Sequence, residues 1–360
     1  MQLIRAGSIA LALGIGGAAR ADNSFVTKTQ IYTDNDHTTV VSTVVAASHD
    51  AWRGATLSTA YVTDVVSSAS VDVVSNATHQ MNDVRHEVKG ALRQVLGDTR
   101  LSAAYLYSVE NDYASHNLQL SLARDLFRKN TTLDLGYALS LDDVRRAGDR
   151  NFHRSLAIHG LVGTWTQTLT PATIAQASYS FSYDAGYEAS PYRFVPIDSP
   201  IDGTIEFKVA ETEPDRRFRH AFVIGLNRHL GKDSSLQGDY RLYFDSWGLL
   251  AHTIQLRYFV KFRDFTLRLR ERFYYQRGAD FFRTQYTSDH LTPFVTADRE
   301  LSTFWSNIVG AKLSWRVPWQ RRQTLEAEVK VDVLYFSYLD FALLQTRLGA
   351  DVEAGLSLAY

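Results

Sequence analysis

The chain has 360 residues, with 38 Lys and Arg against 39 Asp and Glu, and no cysteine. A net charge of −1 leaves no basic surplus to neutralise phosphates, which excludes a nucleic-acid binder; the missing cysteines exclude disulfides and thiolate metal sites. Tyr and Phe contribute 19 residues each while the mean hydropathy is only −0.20, a combination expected of a transmembrane barrel whose lipid face takes alternate residues.

Met1 to Arg5 is a short basic segment, Ala6 to Ala18 is small and apolar, and Ala19-Arg20-Ala21 fits a signal-peptidase cleavage pattern. Residues 1–21 are therefore expected to be a secretory signal peptide and 22–360 the mature domain. The apolar run is too short and Gly-rich for a spanning helix, and no later stretch offers about 20 consecutive apolar residues. No Pro/Ser-rich linker divides the rest.

From Ser24 onward, apolar and polar residues alternate with the period of two that marks a strand with two unlike faces. Strands are predicted near Ser24–Thr33, Thr38–Ser48, Ala55–Val65, Asp83–Leu96 and Arg100–Glu110. Others follow near Asn117–Asp125, Thr131–Asp142, His153–Thr168 and Thr173–Tyr187. The second half adds Arg217–Leu230, Ser235–Asp245, Ala251–Phe262, Phe265–Gln276, Glu300–Trp315, Gln323–Tyr335 and Ala342–Tyr360. That gives about sixteen strands, with fourteen or eighteen as alternatives because boundaries read this way drift by a few residues.

Loop lengths sort by parity. With both termini in the periplasm, the turns near 49–54, 97–99, 126–130, 169–172, 231–234, 263–264 and 316–322 are all short. The long connections near 66–82, 143–152, 188–216 and 277–299 all fall on the other side. Short periplasmic turns with long exterior loops are the signature of an outer-membrane barrel, and a soluble sandwich has no reason to sort its loops this way. The predicted fold is all-β, a single antiparallel transmembrane β-barrel in the bacterial outer membrane. Trp305 and Trp315 share one strand face, and ten residues at ~3.3 Å, tilted about 40°, rise roughly 25 Å, the height of an apolar band between aromatic girdles. Glu271 breaks the apolar face of Phe265, Leu267, Leu269, Phe273 and Tyr275, so either a bulge there or a place at the outer rim is expected.

The chain closes on Leu348, Ala350, Val352, Ala354, Leu356 and Leu358, alternating with polar or small residues, and stops on Tyr360. Gly355, Leu358 and Tyr360 fit the C-terminal pattern that resembles the signal read by the barrel-insertion machinery. With lipid outside, the other face lines a lumen. Its basic residues are Arg219, Arg241, Arg257, Lys261, Arg268, Arg270 and Arg272, with Asp239 and Asp245 against them. The last two strands offer Glu326, Glu328, Asp332, Asp351 and Glu353, with Lys330 and Arg347. A basic wall beside an acidic one sets up a transverse field that favours small polar or charged solutes; the same charges can equally pair and fill the lumen. The Pro-rich stretch 188–216 is the best candidate for a folded-in plug.

Enzyme readings rest on His153 with Ser155, His159 with Ser180, and His220 or His290 with nearby acids, none of them inside a catalytic motif. No Gly-rich phosphate loop, H-E-x-x-H or nucleophile elbow is present, so no cofactor is expected. Asp34 and Asp36 offer hard oxygens to Ca²⁺, although Asp-Asn-Asp is also ordinary turn chemistry.

Two N-terminal stretches are less generic. Tyr32-Thr33-Asp34-Asn35-Asp36 leads into a Val/Thr strand, and Tyr61 to Ser75 carries Asp64, Ser67, Ser68, Ala69, Ser70 and Asp72 before Asp83-Val84-Arg85-His86-Glu87. This order resembles a family of Gram-negative outer-membrane barrels known only as a domain of unknown function. The resemblance implies fold and location and carries over no catalytic residues. Asp64, Asp72, Arg85 and Glu87 are expected to form a polar network near the mouth, unless the stretch is a solvated loop.

Overall fold

The computed structural model describes residues 23–68, 81–318 and 323–360; the expected signal peptide and Asp72 lie outside them. The first nine strands are β1 (Asn23–Asp34), β2 (Thr38–Trp52), β3 (Ala55–Ser68), β4 (Met81–Leu96), β5 (Thr99–Val109), β6 (Tyr113–Leu126), β7 (Thr131–Arg146), β8 (Asp149–Thr170) and β9 (Thr173–Gly186). Next come β10 (Phe194–Asp198), β11 (Ile205–Ala210), β12 (Arg216–His229), β13 (Ser234–Asp245), β14 (Leu250–Phe262) and β15 (Phe265–Arg277). The short β16 (Tyr286–Thr287) precedes β17 (Phe304–Val317), β18 (Thr324–Tyr338) and β19 (Thr346–Ala359).

Sixteen of these strands form one closed antiparallel barrel, and β10, β11 and β16 form a separate small sheet. The ring closes where β1 pairs β19 on one side and β2 on the other, with Phe25 opposite both Leu358 and Ala47. Closure leaves no barrel strand with an unpaired edge, which lets a sheet stand in hydrocarbon. The tight turns follow local chemistry: Gly97 takes φ +61° in the Gly97-Asp98 turn between β4 and β5.

Alternation sets the faces as the sequence predicts. On β19, Leu348, Val352 and Leu356 are 53, 42 and 50% exposed on the outside, while Arg347, next to Leu348 and of opposite parity, is fully buried. Trp305 and Trp315 flank the outer face of β17, opposite Tyr275 and Phe265 of β15. The expectation of a strand from Glu300 needs correction. Arg299–Leu301 is a 3-10 turn whose Glu300 amide donates to the Asp298 carboxylate, and β17 starts only at Phe304.

Glu271 resolves differently from both expectations. The β14–β15 and β15–β17 registers run unbroken, so no bulge changes its phase. It points outward between Leu256 and Val309, inside the apolar band, and accepts a 3.4 Å hydrogen bond from Asn307.

That pair belongs to a recurring pattern. Tyr61, Tyr105, Tyr137, Tyr179 and Tyr240 each hydrogen-bond Nδ1 of a histidine on the next barrel strand: His86, His116, His159, His220 and His252, at 2.5 to 2.9 Å. Each tyrosine lies six residues past the first residue of its strand, as Tyr61 follows Ala55 and Tyr240 follows Ser234. Each histidine sits one diagonal step higher on its neighbour. Six residues at ~3.3 Å, tilted about 40°, place the tyrosines ~15 Å above the periplasmic strand ends. Glu271 and Asn307 occupy the same two positions on β15 and β17.

Candidate functional site

The exterior mouth is covered by the two longest described connections, 187–215 and 278–303. They join through the sheet β11-β10-β16, with Ile197 and Asp198 of β10 running parallel to Tyr286 and Thr287. Val195, Ile197, Tyr286 and Val295 form its buried apolar centre. Glu211 staples the two segments: its carboxylate accepts from the Ser190 amide (2.9 Å), Arg193 (3.0 Å) and the Thr296 hydroxyl (2.6 Å). Arg193 also reaches Asp298 at 3.2 Å.

This cap is held around the rim. Arg299 pairs with Asp36 in the β1–β2 turn. The Tyr192 hydroxyl accepts from the Ala147 amide of the β7–β8 turn at 2.7 Å and lies beside the Asp112 carboxylate of the β5–β6 turn. Thr303 donates to Asp340 between β18 and β19 (2.7 Å). The β5–β6 turn lies eight strands round the ring from β15, so the cap spans the mouth. At its root, Glu188 is gripped by Arg217 (3.5 Å) and Arg219 (2.7 Å) of β12, and Arg217 stacks 4.0 Å over Trp247. Below it, Trp247, Leu301, Phe304, Tyr338 and Phe341 form an apolar layer, with Tyr243 and Tyr274 against it. The expected plug segment 188–216 is thus one half of a two-part cap.

Within the cap, both carboxylate oxygens of Glu213 are enclosed and meet no hydrogen-bond donor among the described residues. Burial pushes this carboxyl well above its ordinary pKa, and the charges of Glu211, Asp298 and Glu188 push further. Glu213 lines a cavity of about 400 Å³ with His153, Arg154 and Glu188.

The mouth network forms in part. Asp64 and Arg85 pair at 2.5 Å across β3 and β4, and Glu87 is buried one ladder step below. Three further carboxylates that sequence reasoning passed over come together beside it: Asp83, Glu110 and Asp112 bring one oxygen each within 4.8 Å of one another. Burial, reinforced by the charge of Asp83, pushes Glu110 up to about 7.

Deeper in the lumen, the acidic wall is largely neutralised. Lys28 of β1 and Lys312 of β17 both bind Glu328, and Lys28 also lies 3.6 Å from Glu353. Lys330 sits 3.2 Å from Asp351 and from Glu353. On the basic wall, Arg257 is held by Asp239, and Arg270 by Asp332 at 2.7 Å. Arg241, Arg268 and Arg272 have no carboxylate within 4.0 Å among the described residues, and Lys261 is exposed near the periplasmic end. The simple picture of a basic wall facing an acidic one is therefore corrected. Glu328, Asp351 and Glu353 are consumed by lysines, and three arginines are left over. Arg219 stands higher, bonded to Asp184 and Glu188 at the cap root. Arg347 is fully buried against the Phe336 ring at 4.0 Å.

Other predicted groupings separate. His159 points outward to Tyr137, whereas Ser180 faces the lumen, so the two cannot cooperate. His220 is taken by Tyr179. His153 bonds Asp143 at 2.6 Å, and no hydrogen bond joins it to Ser155 among the described residues; His290 is exposed beside Asp289. Asp34 caps its own turn, accepting from the amides of Asp36 and Thr38 and from the Tyr32 hydroxyl. With Asp36 held by Arg299, the Asp34/Asp36 oxygens serve the turn and the cap. Gly355 faces inward and Leu358 outward on the closing strand, and Tyr360 is exposed at its end.

The family model described as "Protein of unknown function (DUF3570)" matches residues 20–160 and 156–338. The chain belongs to that family. Among curated proteins nothing matches the DUF3570 chain. Among solved structures it is similar to CdiB from Acinetobacter baumannii, with 9% identity and a TM-score of 0.54 over 94% of this chain and 61% of that one. It is also similar to a bacterial polysaccharide outer membrane secretin, with 9% identity and a TM-score of 0.53 over 95% of this chain and all of that one. The DUF3570 chain thus spans less than two thirds of CdiB. At these identities the likeness is one of fold: a closed outer-membrane β-barrel.

Proposed function

We propose that this protein is an outer-membrane channel for small polar or charged solutes, closed at rest by its exterior cap. The observation that carries the reading is the lumen wall of β13–β15, where five arginines meet, among the described residues, two carboxylates within 4.0 Å, Asp239 and Asp332. A barrel with no transport role gains nothing from lining its interior with arginines that the fold leaves uncompensated, since each carries a desolvation cost. The cap then acts as the gate, and the closing strand with Gly355, Leu358 and Tyr360 acts as the insertion signal. Planar-bilayer recordings on the folded barrel test this, with wild type compared against a variant lacking 190–212. Occasional opening of the wild type and steady conductance of the deletion are expected; silence from both would sink the reading.

A second reading has its own observation. Ile201 is 93% exposed at the tip of the β10–β11 hairpin, next to exposed Ile205 and Phe207. An apolar tip on the exterior surface suits docking of a protein partner. Loss of a pulled-down partner on Ile201→Ser, with conductance unchanged, would favour this role.

A further inference from the structure

From the leftover charge on the β13–β15 wall, we infer that Arg241 with Arg272, and Arg268 below them, form successive binding positions for small oxyanions, carboxylates or phosphates, inside the lumen. The inference rests on the channel reading and names its solute class. Arg268, Arg270 and Arg272 project inward from β15 at alternate positions, about 6.6 Å apart along the strand. Arg257 lies directly opposite Arg270. Among the described residues, carboxylates within 4.0 Å relieve this crowding of like charge at two points, Asp239 on Arg257 and Asp332 on Arg270.

The other three lack such relief. Nε and Nη2 of Arg268 are enclosed and meet no protein acceptor among the described residues. Arg272 lies 5.8 Å over the Tyr274 ring, and Arg241 lies 5.6 Å over the Tyr243 ring. Those tyrosines support the guanidinium planes but accept no charge from them. The acidic wall does not supply the missing acceptors: Glu328, Asp351 and Glu353 are already engaged by Lys28, Lys312 and Lys330, and Glu326 lies four residues along β18 from Lys330, towards the short-turn end and away from the level of Arg268. Planar guanidinium forks match the paired oxygens of carboxylate and phosphate far better than they match a spherical halide. Set below the apolar layer under the cap, Arg241 with Arg272, and Arg268 about 13 Å further along β15, are two successive positions at which an anion exchanges water for arginine.

The test uses the full-length folded barrel in detergent and in bilayers, with inorganic phosphate, succinate and chloride as probes. Titration calorimetry in detergent reads binding without requiring conduction. Phosphate or succinate is expected to bind more tightly than chloride. Arg268→Gln or Arg272→Gln should weaken that binding on the order of tenfold, the loss typical of one charge-assisted hydrogen-bond donor. Arg268→Lys should restore part of it, and unchanged heat-modifiable mobility checks that each variant folds. In bilayers, the cap deletion should favour anions over cations, and the double variant should bring that ratio towards one. Equal binding of all three anions by wild type and double variant overturns the site. Cation preference in the conducting deletion overturns it as well. A barrel that binds phosphate through these arginines but never conducts overturns the channel reading and leaves the site standing.

Discussion

Arg270 on β15 reaches Asp332 on β18 across the intervening strand, Nη2 to Oδ2 at 2.7 Å, over the bare backbone of Gly310. A Cβ on Gly310 would fall 1.6 Å from the Asp332 carboxylate. The glycine is thus the opening through which two non-adjacent strands are tied.

Gly310→Ala is expected to displace Asp332 and break this bridge. Asp332 is almost fully buried, and leaving such a carboxylate without its partner costs about 3 kcal/mol, less here because Lys330 stands 3.8 Å away. Urea unfolding in micelles reads the loss. Gly90→Ala serves as the control, because nothing lies within 4 Å of its added Cβ. Equal midpoints for the two variants would remove the bridge from the account of stability.

Glu211→Ala should free the cap without touching the barrel. It removes acceptors from Ser190, Arg193 and Thr296 at once, a local cost of about 3 kcal/mol for a buried charged group. Hydrogen exchange is expected to accelerate in β10, β11 and β16 while the barrel strands keep their protection. Protection unchanged in β10 would show that the two segments hold together without the staple.

Cap docking should weaken as the pH rises. An undocked Glu213 titrates near the ordinary value of about 4.3, and burial in the docked cap raises it well above that. Within this window the docked state holds the extra proton, so raising the pH costs docking energy until the docked carboxyl also ionises. Channel openings should therefore become more frequent from about pH 4.5 upward, and Glu213→Gln should flatten that slope and favour closure at neutral pH. Identical pH profiles for the two proteins would acquit Glu213.

Glu271→Leu is expected to stabilise the barrel in lipid. A carboxyl on the lipid face inside the apolar band costs about 1–2 kcal/mol, offset in part by its bond from Asn307. Unfolding from vesicles should shift to higher urea. A shift the other way would mean that something other than lipid meets Glu271.

Most of the fold could be read from the chain because period-two alternation and loop parity are local signals. Leu348 to Leu358 on β19 define a face without reference to any other strand. What alternation does not carry is height along the barrel axis or the identity of laterally adjacent side chains. Arg219 has the same inward parity as Arg272, yet its place near the exterior end of β12 gives it to Asp184 and Glu188. Lys28 neutralises Glu328 because ring closure seats β1 beside β19, a relationship more than 300 residues long in sequence. The Tyr–His pairs did leave a trace, a tyrosine at constant distance from five of the short turns, but linking it to a histidine needs the cross-strand register. Glu300 falls in line with the strand pattern that follows it because the Asp298 cap on its 3-10 turn leaves no mark on the alternation.

The cap's covalent attachments are lopsided. Both segments are rooted between β9 and β17, whereas on the β1–β8 half of the rim, among the described residues, Asp36 and Ala147 hold it through the side chains of Arg299 and Tyr192. In the channel proposed above, that asymmetry makes the cap a trapdoor, hinged over the arginine wall and latched on the far side. In that proposed channel, a solute admitted on the β1–β8 side has to cross the lumen to meet the arginines, which lie under the hinge.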